Sequence, residues 1–92
     1  MAVVLIIPGA LRPDAGGAGR LSVPAAPTLG QVLDEVGARW PRLERRIRDE
    51  RGGLRRYVNV YVDGEDCRSC GGLGAAIAPG AEVQVIPSVA GG

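Results

Sequence analysis

Between Thr28 and Trp40 the chain carries its one long helical pattern, and strand-like runs lie on both sides of it. Leu29, Val32, Leu33, Val36 and Trp40 recur along one helix face, so the segment predicts an amphipathic helix that covers one face of a sheet. Thr28 supplies an N-cap, and Gln31 three residues on completes the capping-box pattern. With 46% apolar residues, only 3% aromatics and no Phe, the core beneath that helix has to be built from Val, Leu, Ile and Ala. A chain of 92 residues can hold one such core and is too short for a cleft between two domains.

Ahead of the helix, Ala2 to Ile7 is a continuous apolar run closed by Pro8-Gly9, as a central strand requires. Arg12 to Gly19 reads as a flexible connection, after which Leu21 and Val23 alternate with Arg20 and Ser22 as a second strand. Beyond the helix, Pro41 interrupts the pattern, Leu43 and Ile47 predict a further short turn, and Gly52-Gly53 ends the segment. Tyr57 to Val62 alternates strictly, with Val58, Val60 and Val62 on one face and Tyr57, Asn59 and Tyr61 on the other. Asp63-Gly64 is a type I′ hairpin signal, so Glu65 to Arg68 is expected to return as a short strand. Pro79-Gly80 marks a type II turn, and Glu82 to Ile86 forms the last strand.

The order strand, strand, helix, strand, strand, strand predicts an α+β domain, a mixed sheet of about five strands covered by one main helix. That is the β-grasp, or ubiquitin-like, arrangement, in which the first and last strands run parallel and adjacent. Residues 1–87 then form the domain, and 88–92 leave it as a flexible tail that spans at most about 17 Å.

Charge excludes more than it assigns. The formal net charge is +1, yet all 11 basic residues are Arg and eight of them fall between positions 39 and 56. Glu44, Asp49 and Glu50 interrupt this run and aromatic stacking platforms are scarce, so nucleic acid is not the expected partner. A solvated face is the plain reading, and a docking patch for an acidic partner enzyme the sharper one. The apolar N-terminal run is too short to span a bilayer and lacks a positive leader, so a cytoplasmic protein with no membrane association is expected.

Cys67 and Cys70 form a C-x-x-C, but without His or a second Cys pair a structural zinc site lacks two ligands unless another chain supplies them. The pair is followed by Gly71-Gly72 where a thioredoxin-type site would open a helix. Cys67 therefore reads as a small buried hydrophobe and Cys70 as a turn residue, with redox or sulfur-relay use left open. Asp63, Glu65 and Asp66 lack calcium-loop spacing and read as solubilising charges.

Autonomous catalysis is not expected. The chain has no His, its hydroxyl nucleophiles are Ser22, Ser69, Ser88 and Thr28, and its glycine clusters lack the Lys and Ser/Thr of a phosphate loop. No catalytic or metal-binding residue is assigned. The remaining reactive group is the carboxylate of Gly92, carried on Gly91. Two residues without Cβ atoms make the thinnest peptide available for a narrow channel, although a glycine pair at the end arises by chance in about one such sequence in forty. Attack of that carboxylate on the α-phosphate of ATP gives an acyl adenylate, and a sulfur nucleophile that displaces AMP leaves a thiocarboxylate. Pro87, Ser88, Val89 and Ala90 lie beside the reacting end and are the expected docking residues, small enough for close approach.

Ile7-Pro8 with Leu11-Arg12-Pro13, Thr28-Leu29-Gly30, Tyr57 to Val62, Gly64-Glu65-Asp66, Ser69 with Gly71-Gly72-Leu73, and Val89-Ala90-Gly91-Gly92 together resemble the ThiS/MoaD group of ubiquitin-like sulfur carriers. The resemblance covers nearly the whole chain and is nearest to the CysO type associated with cysteine biosynthesis in actinobacteria. It implies a MoeB-like E1 adenylating enzyme that uses ATP and magnesium, with Gly92 as the sulfur-bearing residue. It also implies a pyridoxal phosphate-dependent cysteine synthase as acceptor and a metalloprotease that releases cysteine. Related carriers serve thiazole, molybdopterin or thiosugar synthesis. Two further readings remain: a protein modifier joined to targets through Gly92, which the absence of Lys would suit, and a β-grasp adaptor with an idle tail.

Overall fold

A computed structural model describes residues 2–87, so the expected tail residues Ser88, Val89, Ala90, Gly91 and Gly92 lie outside the described residues. The chain runs β1 (Val3–Ile6), β2 (Arg20–Val23), α1 (Leu29–Arg39), α2 (Pro41–Ile47), β3 (Val58–Val62), β4 (Glu65–Asp66) and β5 (Glu82–Pro87). The strands form one sheet in the order β2-β1-β5-β3-β4. Only the β1–β5 pair is parallel, with Leu5 opposite Val83; β1–β2, β3–β5 and β3–β4 are antiparallel. This is the α+β β-grasp arrangement the element order predicts.

Strand alternation decides what is buried. Val3, Leu5, Leu21, Val23, Val58, Val60, Val83 and Val85 point to one face and are buried there with Leu29, Val32, Leu33 and Val36 of α1. The α1 N-terminus is capped as expected, with Gln31 N–H donating to Thr28 Oγ1 at 3.3 Å. The reciprocal bond joins the two side chains, the Thr28 hydroxyl donating to Gln31 Oε1 at 3.1 Å. Asp63 (φ 49°) and Gly64 (φ 84°) both adopt the left-handed conformations of a type I′ turn.

Three local expectations are corrected. The segment expected as a flexible connection begins as a 3-10 helix over Gly9–Ala15, because Leu11 and Ala15 bury against the core and hold its turns. The short turn expected after Pro41 is a second helix, α2. Proline at its first position costs no hydrogen bond there, and Leu43 and Ile47 are both 0% exposed. The covering layer is therefore two helices. The strand expected over Glu65–Arg68 stops at Asp66, whose Oδ1 accepts the Arg68 N–H at 2.9 Å and turns the chain into a 3-10 helix over Cys67–Ser69.

Two charge expectations also change. Asp63 and Asp66 are more than solubilising, since Asp63 Oδ1 accepts the Glu82 N–H at 2.9 Å and ties the hairpin to β5. Within the basic run, Arg48 is drawn inward, its side chain 12% exposed. Its Nε donates to Glu44 Oε2 at 2.8 Å, Nη2 to Asp34 Oδ1 at 2.9 Å and Nη1 to the Gly30 carbonyl at 3.4 Å, joining α1 to α2. Arg48→Ala is expected to lower unfolding stability by about 1–3 kcal/mol, because it strands the half-buried Glu44 carboxylate. Urea denaturation measures this, and an unchanged midpoint would show the staple to be idle.

Candidate functional site

The expected site begins where β5 ends. β5 is the central strand, but its ladder with β1 ends at Gln84, so Ile86 and Pro87 pair with β3 alone. Pro87, the one expected docking residue within the described range, is half-buried opposite Val58 in the last row of the β3–β5 ladder. The described chain thus ends beside the start of β3.

Several residues meet there that the sequence keeps far apart. Ile86 lies opposite Asn59 on the face turned away from the helices, and Tyr57 immediately precedes β3. Tyr57 (56%) and Ile86 (39%) are the exposed large hydrophobic residues among those described. Beside them Asp49, Leu54, Arg55, Arg56 and Tyr57 line an open hollow of about 270 Å³.

Hydrogen bonds fix this shoulder. Arg55 N–H donates to the Ile47 carbonyl at 3.0 Å, and Arg55 Nε donates to the Arg45 carbonyl at 2.7 Å, which anchors the start of β3 to the end of α2. Arg68 reaches across from the 3-10 helix, Nη2 donating to the Arg55 carbonyl at 3.1 Å and Nη1 to Asn59 Oδ1 at 3.2 Å. Sequence reasoning placed Tyr57 on the outward face and Arg55 and Arg56 in a basic run with a docking-patch reading, but joined none of them to the end of the last strand. Only the β3–β5 register brings them beside Pro87.

Cys67 and Cys70 do not assemble a reactive pair with the site. Cys67 is part of the core at 0% exposure, as expected, and Cys70 closes the 3-10 turn with its Sγ 3.4 Å from the Asp66 carbonyl. Burial pushes the Cys67 thiol above its ordinary range, Asp66 adds to the shift and Arg68 opposes it. Cys70 is raised as well, by burial first and by hydrogen bonding to Glu65 second. Both shifts reduce the thiolate, which is the nucleophile and metal ligand. Cys70 faces a hollow with Val62 and Asp63, at the end of β3 away from Pro87. Iodoacetamide at neutral pH is expected to leave Cys67 unmodified until the domain unfolds. Labelling of native Cys67 at the rate of an unfolded-chain thiol would contradict its burial.

Among the described residues no group of three or more His, Cys, Asp or Glu side chains is placed to hold a metal ion. No helix among them is long and apolar enough to cross a membrane.

The model of the ThiS family matches residues 5–92, nearly the whole chain. The chain belongs to the ThiS family. This ThiS-family chain is 43% identical to sulfur carrier protein CysO of Mycobacterium tuberculosis over 94 aligned residues, which cover all of both proteins. It superimposes with a TM-score of 0.90 and 36% identity on the crystal structure of the Amycolatopsis orientalis BexX/CysO complex, covering 99% of this chain and all of the other. It is also 36% identical over 73 residues to small archaeal modifier protein 1 of Haloferax volcanii, 79% of each chain.

Proposed function

We propose that this ThiS-family chain is a sulfur carrier whose Gly92 carboxylate is adenylated and then converted to a thiocarboxylate. The observation that carries this reading is the full-length 43% identity to the M. tuberculosis sulfur carrier CysO. The placement of β5 is compatible with it, since the last described residue, Pro87, closes the central strand of the sheet.

The chemistry divides between two proteins. A carboxylate oxygen of Gly92 attacks the α-phosphorus of ATP, and pyrophosphate leaves. A sulfur nucleophile then adds to the carbonyl carbon and AMP leaves with the C–O bond pair, so that sulfur replaces one oxygen. A MoeB-like E1 enzyme supplies ATP, magnesium and exclusion of water. The chain itself supplies the acyl group, the clearance of Gly91 and Ala90, and a docking surface that includes Pro87, Ser88 and Val89. It acts as substrate and carrier rather than enzyme, in the cytoplasm.

The likeness to CysO favours cysteine synthesis as the destination, with a pyridoxal phosphate-dependent synthase as acceptor and a metalloprotease for release. A second reading has its own support. The identity to small archaeal modifier protein 1 favours conjugation of Gly92 to target lysines as an additional or alternative use.

Intact mass after incubation with ATP, magnesium, the MoeB-like enzyme and a sulfur donor separates these. Replacement of one oxygen by sulfur in the last peptide supports the carrier. A ladder of amide-linked products in cell extract supports the modifier, and failure to form any adenylate with the cognate activator sinks both.

A further inference from the structure

We infer that the shoulder formed by Arg55, Arg56, Arg68 and Tyr57, beside the end of β5, is a docking surface for an acidic patch on the activating enzyme. The inference rests on the sulfur-carrier reading for the identity of the partner.

The arginines whose side chains are bonded sort by acceptor, carboxylate or neutral oxygen, with Arg12 on the Ile7 carbonyl at 3.1 Å among the second kind. Arg46 is spent on Asp14 at 3.0 Å, Arg48 on Glu44 and Asp34, and Arg20 lies 3.8 Å from Glu82. Arg55 and Arg68 are held just as firmly, but their acceptors are carbonyl oxygens and an amide oxygen. Neutral acceptors orient a guanidinium without cancelling its charge. Exposed Arg56 adds a third cation beside them, and none of the three has a carboxylate oxygen within ion-pair distance among the described residues. The one carboxylate in the hollow, Asp49, turns its Oδ1 to the Arg51 and Gly53 N–H groups at 2.9 and 3.1 Å.

Orientation without compensation is wasteful in an isolated domain and useful at an interface. The rotamers of Arg55 and Arg68 are already fixed, so a partner's carboxylates gain bidentate contacts without the entropic cost of ordering the side chains. Exposed Tyr57 and Ile86 next to these cations supply an apolar centre with a charged rim, the composition of a protein interface in which Tyr and Arg anchor. A nucleic-acid strand would call for a row of aromatic platforms along a basic groove, and Tyr57 stands alone in this hollow.

The test is steady-state adenylation by the MoeB-like enzyme, followed as pyrophosphate release at low and high salt. Arg56→Glu alters an exposed side chain and is expected to raise KM for the carrier by roughly tenfold or more at low salt, with kcat unchanged. High salt should raise the wild-type KM and erase the difference between the two proteins. Arg68→Met is expected to act in the same direction. Arg39→Glu, an equal change of net charge at the end of α1, should leave KM near the wild-type value. Thermal melts confirm that each variant is folded. Wild-type adenylation with an unchanged KM in both folded shoulder variants overturns the docking surface and leaves the carrier reading intact, whereas no wild-type adenylation removes both. Salt-resistant retention of a single-stranded oligonucleotide, lost in Arg56→Glu, would reassign the shoulder to nucleic acid and overturn the proposal.

Discussion

Removal of Gly91 and Gly92 is expected to reduce adenylation by the activating enzyme more than about a hundredfold while the domain melts as before. The shortened chain still ends in a carboxylate, that of Ala90, so the loss comes from reach and clearance rather than from absence of the reacting group. Two residues contribute about 7 Å of extended chain. A carboxylate that falls short of the α-phosphate by that distance forfeits the near-attack geometry on which proximity catalysis depends. Stability should not change, because the core cluster among the described residues runs from Val3 to Val85. Bulky replacement of Gly91 or Ala90 tests the clearance argument separately, since length is kept and only width grows. Adenylation of the truncated chain at the wild-type rate, read by pyrophosphate release, would count against a channel-bound tail.

Leu43→Ala is expected to lower the unfolding free energy by about 2–5 kcal/mol, the cost of a cavity where a leucine side chain was fully buried. That is a large share of the roughly 5–15 kcal/mol that holds a domain of this kind together. The neighbouring Arg42→Ala, at an exposed position of the same helix, should fall within about 0.5 kcal/mol of wild type. Equilibrium urea denaturation of both variants checks the pair. If α2 were only a solvated turn, the two substitutions would have similarly small effects.

The contrast marks where the sequence was readable. α1 was legible because Leu29, Val32, Leu33 and Val36 span enough turns to show helical period, with a capping residue in front. α2 was not, since seven residues carry only Leu43 and Ile47 as periodic evidence inside a run of arginines. The 3-10 helix over Gly9–Ala15 was hidden for a related reason: Pro13 and the glycines that follow advertise a loop, while burial of Leu11 and Ala15 depends on what packs over them. β4 fell short of expectation because the Asp66 side chain competes with the ladder for the Arg68 N–H, a choice that residue type alone leaves open.

For the site the division is similar. Gly92 and Gly91 are proposed from chemistry, since a chain without histidine has few other groups to offer, and family resemblance points to the same residues. The sequence offered a docking reading for the run that holds Arg55 and Arg56, but it could not join them to Tyr57 and Arg68, because nothing local to those residues says that they meet beside the end of β5.

By itself, then, the sequence determined the main strands, the long helix and the order that makes a β-grasp, and it singled out the Gly92 carboxylate as the group proposed to react. These follow from local periodicity, turn chemistry and the inventory of side chains. Only the tertiary structure decided which arginines are compensated. Arg46 meets Asp14 and Arg48 meets Asp34 through the packing of α2, while Arg55 and Arg68 are aimed by neutral oxygens beside the end of β5. Charge pairing acts over a few ångströms in space, and for residues this far apart in the chain that distance is set by the packing of helices and strands.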